Sequence, residues 1–318
     1  MLKYLIIPLA DDAVSYCCYE PGRCTGLVSV DLLRDAILWA MKENVSVQFL
    51  YPPSGISNDI KAIIDEIEHT DVVPCDIVDI QQLEAADVIV FGNWDEFAKY
   101  DYKTGQAYVV RTTMVDLLEN ELNLKHSFYK ADRVNVVITD VDKVNEKMLN
   151  DYDIFLHRLI PAIVEEYKSG HQVQLNILTD KLILNEMNNC NAGEESVVLA
   201  TDGKFYPCPA FFNDGEVSLG DIYEGLNVKN ALLYKLSHAP ICRICDAYQC
   251  KRCIWLNKSM TGEINTPSRE QCVMSHIERN ASRDLLKFFQ EINPDYLSDV
   301  EIPTLDYLDP FEKITNQI

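Results

Sequence analysis

The stretch 29–51, SVDLLRDAILWAMKENVSVQFLY, decides the fold. Leu32, Leu33, Ala36, Ile37, Ala40 and Met41 recur at the spacing of one helical face, with Ser29 in the N-cap position and Asn44 where the helix should close. VSVQFLY follows at once with the apolar, β-branched character of a buried strand. A helix that hands directly to a strand is one unit of a repeating strand–helix architecture.

The same alternation continues on both sides. KYLIIPL (3–9) precedes the helix as a first strand, and SNDIKAIIDEIEH (57–69) supplies a second helix with Ile60, Ile63, Ile64 and Ile67 on one face. ADVIVFGNW (86–94) and AYVVRT (107–112) read as strands, MVDLLENEL (114–122) as a short helix and VNVVIT (134–139) as a strand. Residues 149–167 form a long helix that Pro161 should kink, and HQVQLNIL (171–178) closes the set. The expected fold class is α/β, with an N-terminal partial barrel or open parallel sheet covered by helices.

Composition narrows the function classes. With 28 Lys and Arg against 50 Asp and Glu, the formal charge is −22. Neither nucleic acid nor an anionic membrane is therefore expected as a partner. MLKYLIIPLADD lacks the basic start and small-residue cleavage site of a secretory signal, and no stretch approaches the ~18 apolar residues of a membrane span, so a cytoplasmic protein is expected. In that reducing compartment the 11 cysteines read as metal ligands in preference to disulfides. GxGxxG, the P-loop, HExxH and GxSxG are all absent from the sequence.

Cys17, Cys18 and Cys24 follow the first strand in SYCCYEPGRC and read as packed or surface thiols, with a separate site on the sheet's C-terminal edge as the alternative; Cys75 reads as core. The character changes near residue 185. SVVLA and KFYPC flank Asp202-Gly203, a hairpin signal suited to a type I′ turn, which brings Cys208 and the preceding Cys190 toward one site. A helix over NALLYKLSH (230–238) leads into CRICDAYQCKRCIWLN, and Cys272 opens a helix running from Val273 to Gln290. The metal candidates are Cys190, Cys208, Cys242, Cys245, Cys250, Cys253 and Cys272. Spacing alone leaves iron-sulfur and zinc both open, since each accepts thiolates.

The order of these seven cysteines, with CNAG…ATDGKFYPCPAF around Gly203 and the run C-x2-C-x4-C-x2-C from Cys242, resembles the SPASM domain, a C-terminal extension of radical SAM enzymes that mature peptides. The family's usual central run, C-x2-C-x5-C-x3-C, is one residue longer in each of the last two intervals. The resemblance implies two 4Fe-4S clusters. Cys242, Cys245, Cys250 and Cys272 would hold one; Cys190, Cys208 and Cys253 would hold three corners of the other, its fourth position open or filled by a nearby Asn or acid. It implies a degenerate radical SAM-like domain over 1–184, a SPASM-like iron-sulfur domain over 185–280, and a C-terminal helix and acidic tail over 281–318.

The loop after the first strand reads ADDAVSYCCYEPGRC in place of CxxxCxxC, so S-adenosylmethionine and its usual cleavage are not expected. The whole text, with YPP after the second strand and ADVIVFGNW, is similar to the CXXX repeat peptide maturase family. That likeness implies a maturase or an accessory pseudoenzyme of a ribosomal-peptide modification system, whose partners are precursor peptide or an active radical SAM enzyme. No catalytic residue is assigned. A zinc-stabilised peptide-binding module without redox function is the alternative. Ser268 and Glu270 read as helix capping, Trp255 and Tyr248 as local core around the metal site, His276 as a packed or exposed histidine, and the tail as an arm packing back over a domain.

Overall fold

The computed structural model describes residues 2–22, 24–184, 189–248, 250, 252–305 and 307–311. Strand β1 (Tyr4–Pro8) leads through a long loop to helix α1 (Val30–Glu43), then β2 (Ser46–Leu50), α2 (Asn58–Ile64), β3 (His69–Pro74), α3 (Ile80–Ala85), β4 (Val88–Phe91), α4 (Trp94–Lys99) and β5 (Ala107–Thr112). There follow α5 (Met114–Glu119), α6 (Glu121–Ser127), β6 (Arg133–Ile138), α7 (Glu146–Ser169), β7 (Gln174–Leu175) and α8 (Asp180–Ile183). The cysteine-rich half adds β8 (Ser196–Leu199), β9 (Phe205–Tyr206), α9 (Pro209–Asn213), the short pair β10 (Gly220–Asp221) and β11 (Gly225–Leu226), α10 (Ile254–Thr261) and α11 (Arg269–Ile292).

The opening stretch folds as read. The Ser29 side chain accepts from Leu32 N, Asn44 closes α1 at φ 55°, and Leu33, Ala36, Ile37 and Ala40 are buried. Strand order is β7-β6-β5-β4-β3-β2-β1-β8-β9, with every pair parallel except β8–β9. From β1 to β7 each crossover steps in the same direction. Crossovers of one hand then place all their helices on one face, which makes a partial barrel and rules out the doubly wound sheet.

The strands' alternation divides the core accordingly. Leu5, Ile7, Phe49, Val73, Ile89, Phe91, Val110 and Val136 belong to the large core shared with the helices. Ile6, Leu50, Val72, Val90, Val109, Val137 and Val198, one from each of seven strands, form the second core on the other face, covered by Ala13 and Val14 with Tyr16 and Cys18 packed against them. The loop after β1 therefore plugs the concave side of the barrel.

Several elements differ from expectation. The helix over 57–69 stops at Ile64, and His69–Pro74 becomes β3, paired to β2. The 114–122 helix divides into α5 and α6 at Asn120. Only Gln174–Leu175 of 171–178 pairs as a strand. Around Pro161 the chain stays helical from Glu146 to Ser169. The β8–β9 hairpin forms, but its turn is not type I′: only Gly203 is left-handed, at φ 78°, with Gly203 N donating to Ala200 O and Ala200 N to Lys204 O. That is a three-residue loop ending in a left-handed glycine. Residues 230–238 form two 3-10 turns, Ala231–Leu233 and Leu236–His238, with the extended Lys235 between them. No residue of either turn is buried, so packing gives nothing to extend them into a helix.

The C-terminal arm returns over the body. Tyr296 packs on Tyr167 and Phe289, Ile302 is buried, and Arg269 Nε donates to Asp309 at 2.9 Å.

Candidate metal centre

Strand β8 lies beside β1 in the sheet, so the hairpin carrying Cys208 extends the barrel wall. Cys208 is the N-cap residue of α9 and Cys253 the N-cap residue of α10, where Cys253 Sγ accepts from Leu256 N at 3.4 Å. Both sulfurs thus sit at helix starts, where free backbone N–H groups favour the thiolate. Cys272 is in the first turn of α11, one residue past the Gln271 N–H that Ser268 caps; the capping expectation holds.

The seven thiols fall into two groups. Desolvation raises Cys242 to about 12, with Cys250 and Cys245 adding to the effect. Burial likewise raises Cys272, and Cys250, Cys242 and Cys245 act on it in turn. Cys245 is raised to about 11 by desolvation, moderated by the Ala247 N–H that reaches its sulfur at 3.4 Å. Cys250 Sγ accepts from Arg252 N at 3.4 Å. Cys242, Cys245, Cys250 and Cys272 are one neighbourhood.

Cys190, Cys208 and Cys253 are the other. Cys190 is exposed as a residue, yet desolvation and then Cys253 raise its thiol to about 11. Cys208 is raised well above its usual value by desolvation, then by Cys253 and Cys190, with the N–H groups of Phe211 and Ala210 opposing. Cys253 is raised first by its hydrogen bond with Cys18. Of the Asn and acid residues just before Cys190, Asn185, Glu186 and Asn188 lie outside the described residues, while Asn189 Oδ1 accepts from Asn191 N at 2.8 Å.

Among the described residues, no three His, Cys, Asp or Glu side chains close on a single ion. The chemistry of the surroundings nevertheless fits a thiolate-held centre. Arg252 is 2% exposed and has no carboxylate partner among the described residues; Nη1 donates to Tyr234 O at 3.2 Å, while Nε and Nη2 have no acceptor. It acts on Cys242, Cys250 and Cys190, members of both groups. A buried cation requires a counter-charge, and metal-bound thiolates are negative.

Arg252 was not legible as a site residue, although its position inside CKRC was a signal. His276 exceeds its sequence reading. It is packed, at 3% exposed, and its Nε2 also lies 3.6 Å from Cys245 Sγ; burial holds the imidazole below its usual pKa. Trp255 packs beside Cys208 in a small apolar cluster and donates from Nε1 to Asp214 at 2.7 Å. Tyr248 packs beside Cys242 and Cys250, its ring 3.5 Å below the Lys181 ammonium. Arg279, fully buried in α11, grips Asp246 with Nε at 2.8 Å and Nη2 at 2.5 Å, tying the Cys242–Cys250 loop to the helix that carries Cys272.

The first loop is also tightly held. Arg111 of β5 donates from Nε to Cys17 O at 2.9 Å and from Nη2 to Tyr19 O at 2.8 Å; Val14 N donates to Tyr51 O, Ser15 Oγ to Tyr19 O, and Thr201 Oγ1 to Asp11. Cys24 is exposed, and Cys17 and Cys18 are half-buried. Cys75, just past the end of β3, is half-buried and packs against the large core, where its thiol donates to Glu96 Oε2 at 3.0 Å. A cavity of about 490 Å³ opens at the C-terminal ends of the strands between Trp94, Arg111, Thr113, Asp116 and Asn120.

Solved structures of similar fold exist. Native anSMEcpe with bound AdoMet superposes with a TM-score of 0.64 over 91% of this chain and 100% of that chain, at 14% identity. The chain is similar in fold to anSMEcpe. Native anSMEcpe with bound AdoMet and Cp18Cys peptide matches at a TM-score of 0.65, 15% identity, covering 92% and 100% of the two chains. Polyhistidine-tagged anSMEcpe with bound AdoMet matches at 0.61 and 14%, covering 97% of each. The α/β partial-barrel class read from the sequence is the fold observed. No protein-family model and no curated protein matches the chain. Among the described residues no helix is long and apolar enough to cross a membrane.

Proposed function

We propose that the chain is an iron-sulfur protein of a ribosomal-peptide modification system, a maturase or accessory partner that binds precursor peptide or the active radical SAM enzyme. The observation that carries this reading is the grouping of the seven cysteines: four thiols in one neighbourhood and three in another, with the buried Arg252 acting on both. Cys242, Cys245, Cys250 and Cys272 would hold one cluster, and Cys190, Cys208 and Cys253 three corners of a second. When bound, such clusters supply one-electron transfer, at potentials set by hydrogen bonds to the sulfurs and by burial. This chain's part is to donate N–H groups from Ala247, Arg252 and Leu256, to exclude water with Trp255 and Tyr248, and to balance charge with Arg252.

Peptide binding is supported by the fold shared with anSMEcpe, which has been solved with a peptide. The polar cavity at the strand ends is where α/β barrels bind their ligands, and the charge of −22 suits a basic peptide segment.

Zinc is the second reading. Four sulfurs about 2.3 Å from a tetrahedral zinc stand about 3.8 Å apart, and Cys18 Sγ lies 3.9 Å from Cys253 Sγ.

The accessory reading is tested by incubating the anaerobically reconstituted, reduced protein with S-adenosylmethionine. No formation of 5′-deoxyadenosine is expected; reductive cleavage that survives replacement of Cys17, Cys18 and Cys24 would also remove those thiols from any catalytic role.

A further inference from the structure

We infer that Cys18 is the fourth thiolate of the second centre, so that metal binding there pins the loop after β1 to the cysteine-rich half; this rests on the metal-centre reading above. Cys18 and Cys253 are 235 positions apart in sequence, yet their sulfurs lie 3.9 Å from each other. Cys208 packs in the small cluster of Ala192, Tyr206, Phe211 and Ile254, of which Ala192 and Ile254 lie beside Cys190 and Cys253 in the chain. One neighbourhood therefore holds four thiols, contributed by the β1 loop, the segment before β8, the end of the hairpin and the start of α10.

Nothing about this approach is accidental to a loose loop. Cys18 packs against the concave-face core, and the backbone on either side is fixed by Arg111, Ser15 and the Val14–Tyr51 bond. A neighbouring thiol differs from it: Cys24, on the same loop, is exposed. Arg252, buried and without a carboxylate partner among the described residues, also points to an anionic centre at this junction. Four thiolates around one divalent zinc, or around a 4Fe-4S core, carry the net negative charge that Arg252 lacks as a partner. Each thiol releases its proton to solvent as it ligates; zinc binding consumes no oxidant or reductant, and a 4Fe-4S core assembled from two ferrous and two ferric ions with four sulfides needs none either.

The altered text after β1 finds a reason here as well. A thiol from this loop serves the junction between the two halves, where one metal centre would act as a clasp.

The test uses the full chain, its thiols reduced beforehand and kept without oxygen, in three states: metal-free, reconstituted with equal ferrous and ferric iron and sulfide, and loaded with zinc alone. Each is alkylated with iodoacetamide under native conditions and the labelled cysteines are identified by mass spectrometry. In whichever metal binds, Cys18 labelling should fall about tenfold or more together with Cys190, Cys208 and Cys253, with Cys24 unchanged, because a ligated thiolate is not a free nucleophile. The Cys18→Ser protein should bind about one metal equivalent less, or show an altered cluster spectrum, while Cys24→Ser matches the unaltered chain. Cys18 labelling that is insensitive to metal while Cys253 becomes protected would overturn the inference and leave the metal-centre reading standing. If none of the seven cysteines becomes protected in either metal, the metal-centre reading fails and this inference fails with it. The labelling of the unaltered chain decides the matter even where a Cys18 variant folds poorly.

Discussion

At the residue scale, charge and proton placement separate the cysteines. The Cys75 thiol is pushed well above its ordinary pKa by desolvation and by its hydrogen bond to Glu96. A raised acid keeps its proton as pH rises, so Cys75 should alkylate slowly from pH 7 through pH 9, whereas Cys24, which is exposed, should label readily. Cys75 labelling at the rate of Cys24 would contradict the assignment. Arg252 gives a prediction whose sign depends on metal. In metal-free protein its guanidinium is buried without an anion, so Arg252→Met should leave stability unchanged or raise it by roughly 1 kcal/mol in denaturant unfolding. In loaded protein the same change removes the counter-charge of both centres and should lower metal retention against a chelator. Destabilisation of equal size in both states would mean that Arg252 serves only packing.

At the element scale, the helix starts set the site. Cys208 occupies the N-cap position of α9, the Cys253 sulfur caps α10, and Ser268 caps the helix that carries Cys272. Ser268→Ala loses the bond to Gln271 N and should cost about 1 kcal/mol, read as a lower unfolding midpoint at unchanged slope. Much of this scale was legible. β1, α1, β2, β5 and β6 follow from local periodicity, because each buries an apolar set whose spacing matches its own element. The 230–238 segment was misread because Leu232 and Leu233 look like a helical stripe but have nothing to pack against. β3 was hidden because its first residue, His69, was read as the end of the helix over 57–69, leaving only a short Val72-Val73 pair as signal; its pairing with β2 and β4 makes it a strand. The seven-cysteine set was legible from order and spacing. The approach of Cys18 to Cys253 was not, since a contact across the chain leaves no local signal.

At the scale of the whole molecule, the two halves share structure. β8 pairs with β1 through Tyr4–Ser196, Leu5–Val197 and Ile6–Val198, and Val198 joins the concave-face core that the β1 loop covers. α11 lies along the body, with Glu278 accepting from the Tyr152 hydroxyl of α7 at 2.8 Å and Ser282 donating to Leu178 O at 2.6 Å. The candidate centres therefore lie at the seam of one continuous sheet and its covering helices. A metal bound in the native state and not in the unfolded chain stabilises everything that unfolds with that seam. The measurement that tests the central claim most directly is the iron, zinc and acid-labile sulfide content, with a visible spectrum, of protein purified without oxygen. The account predicts about eight irons and matching sulfide per chain, in two 4Fe-4S clusters. Zinc without sulfide, or a fully folded protein with neither metal, would contradict it.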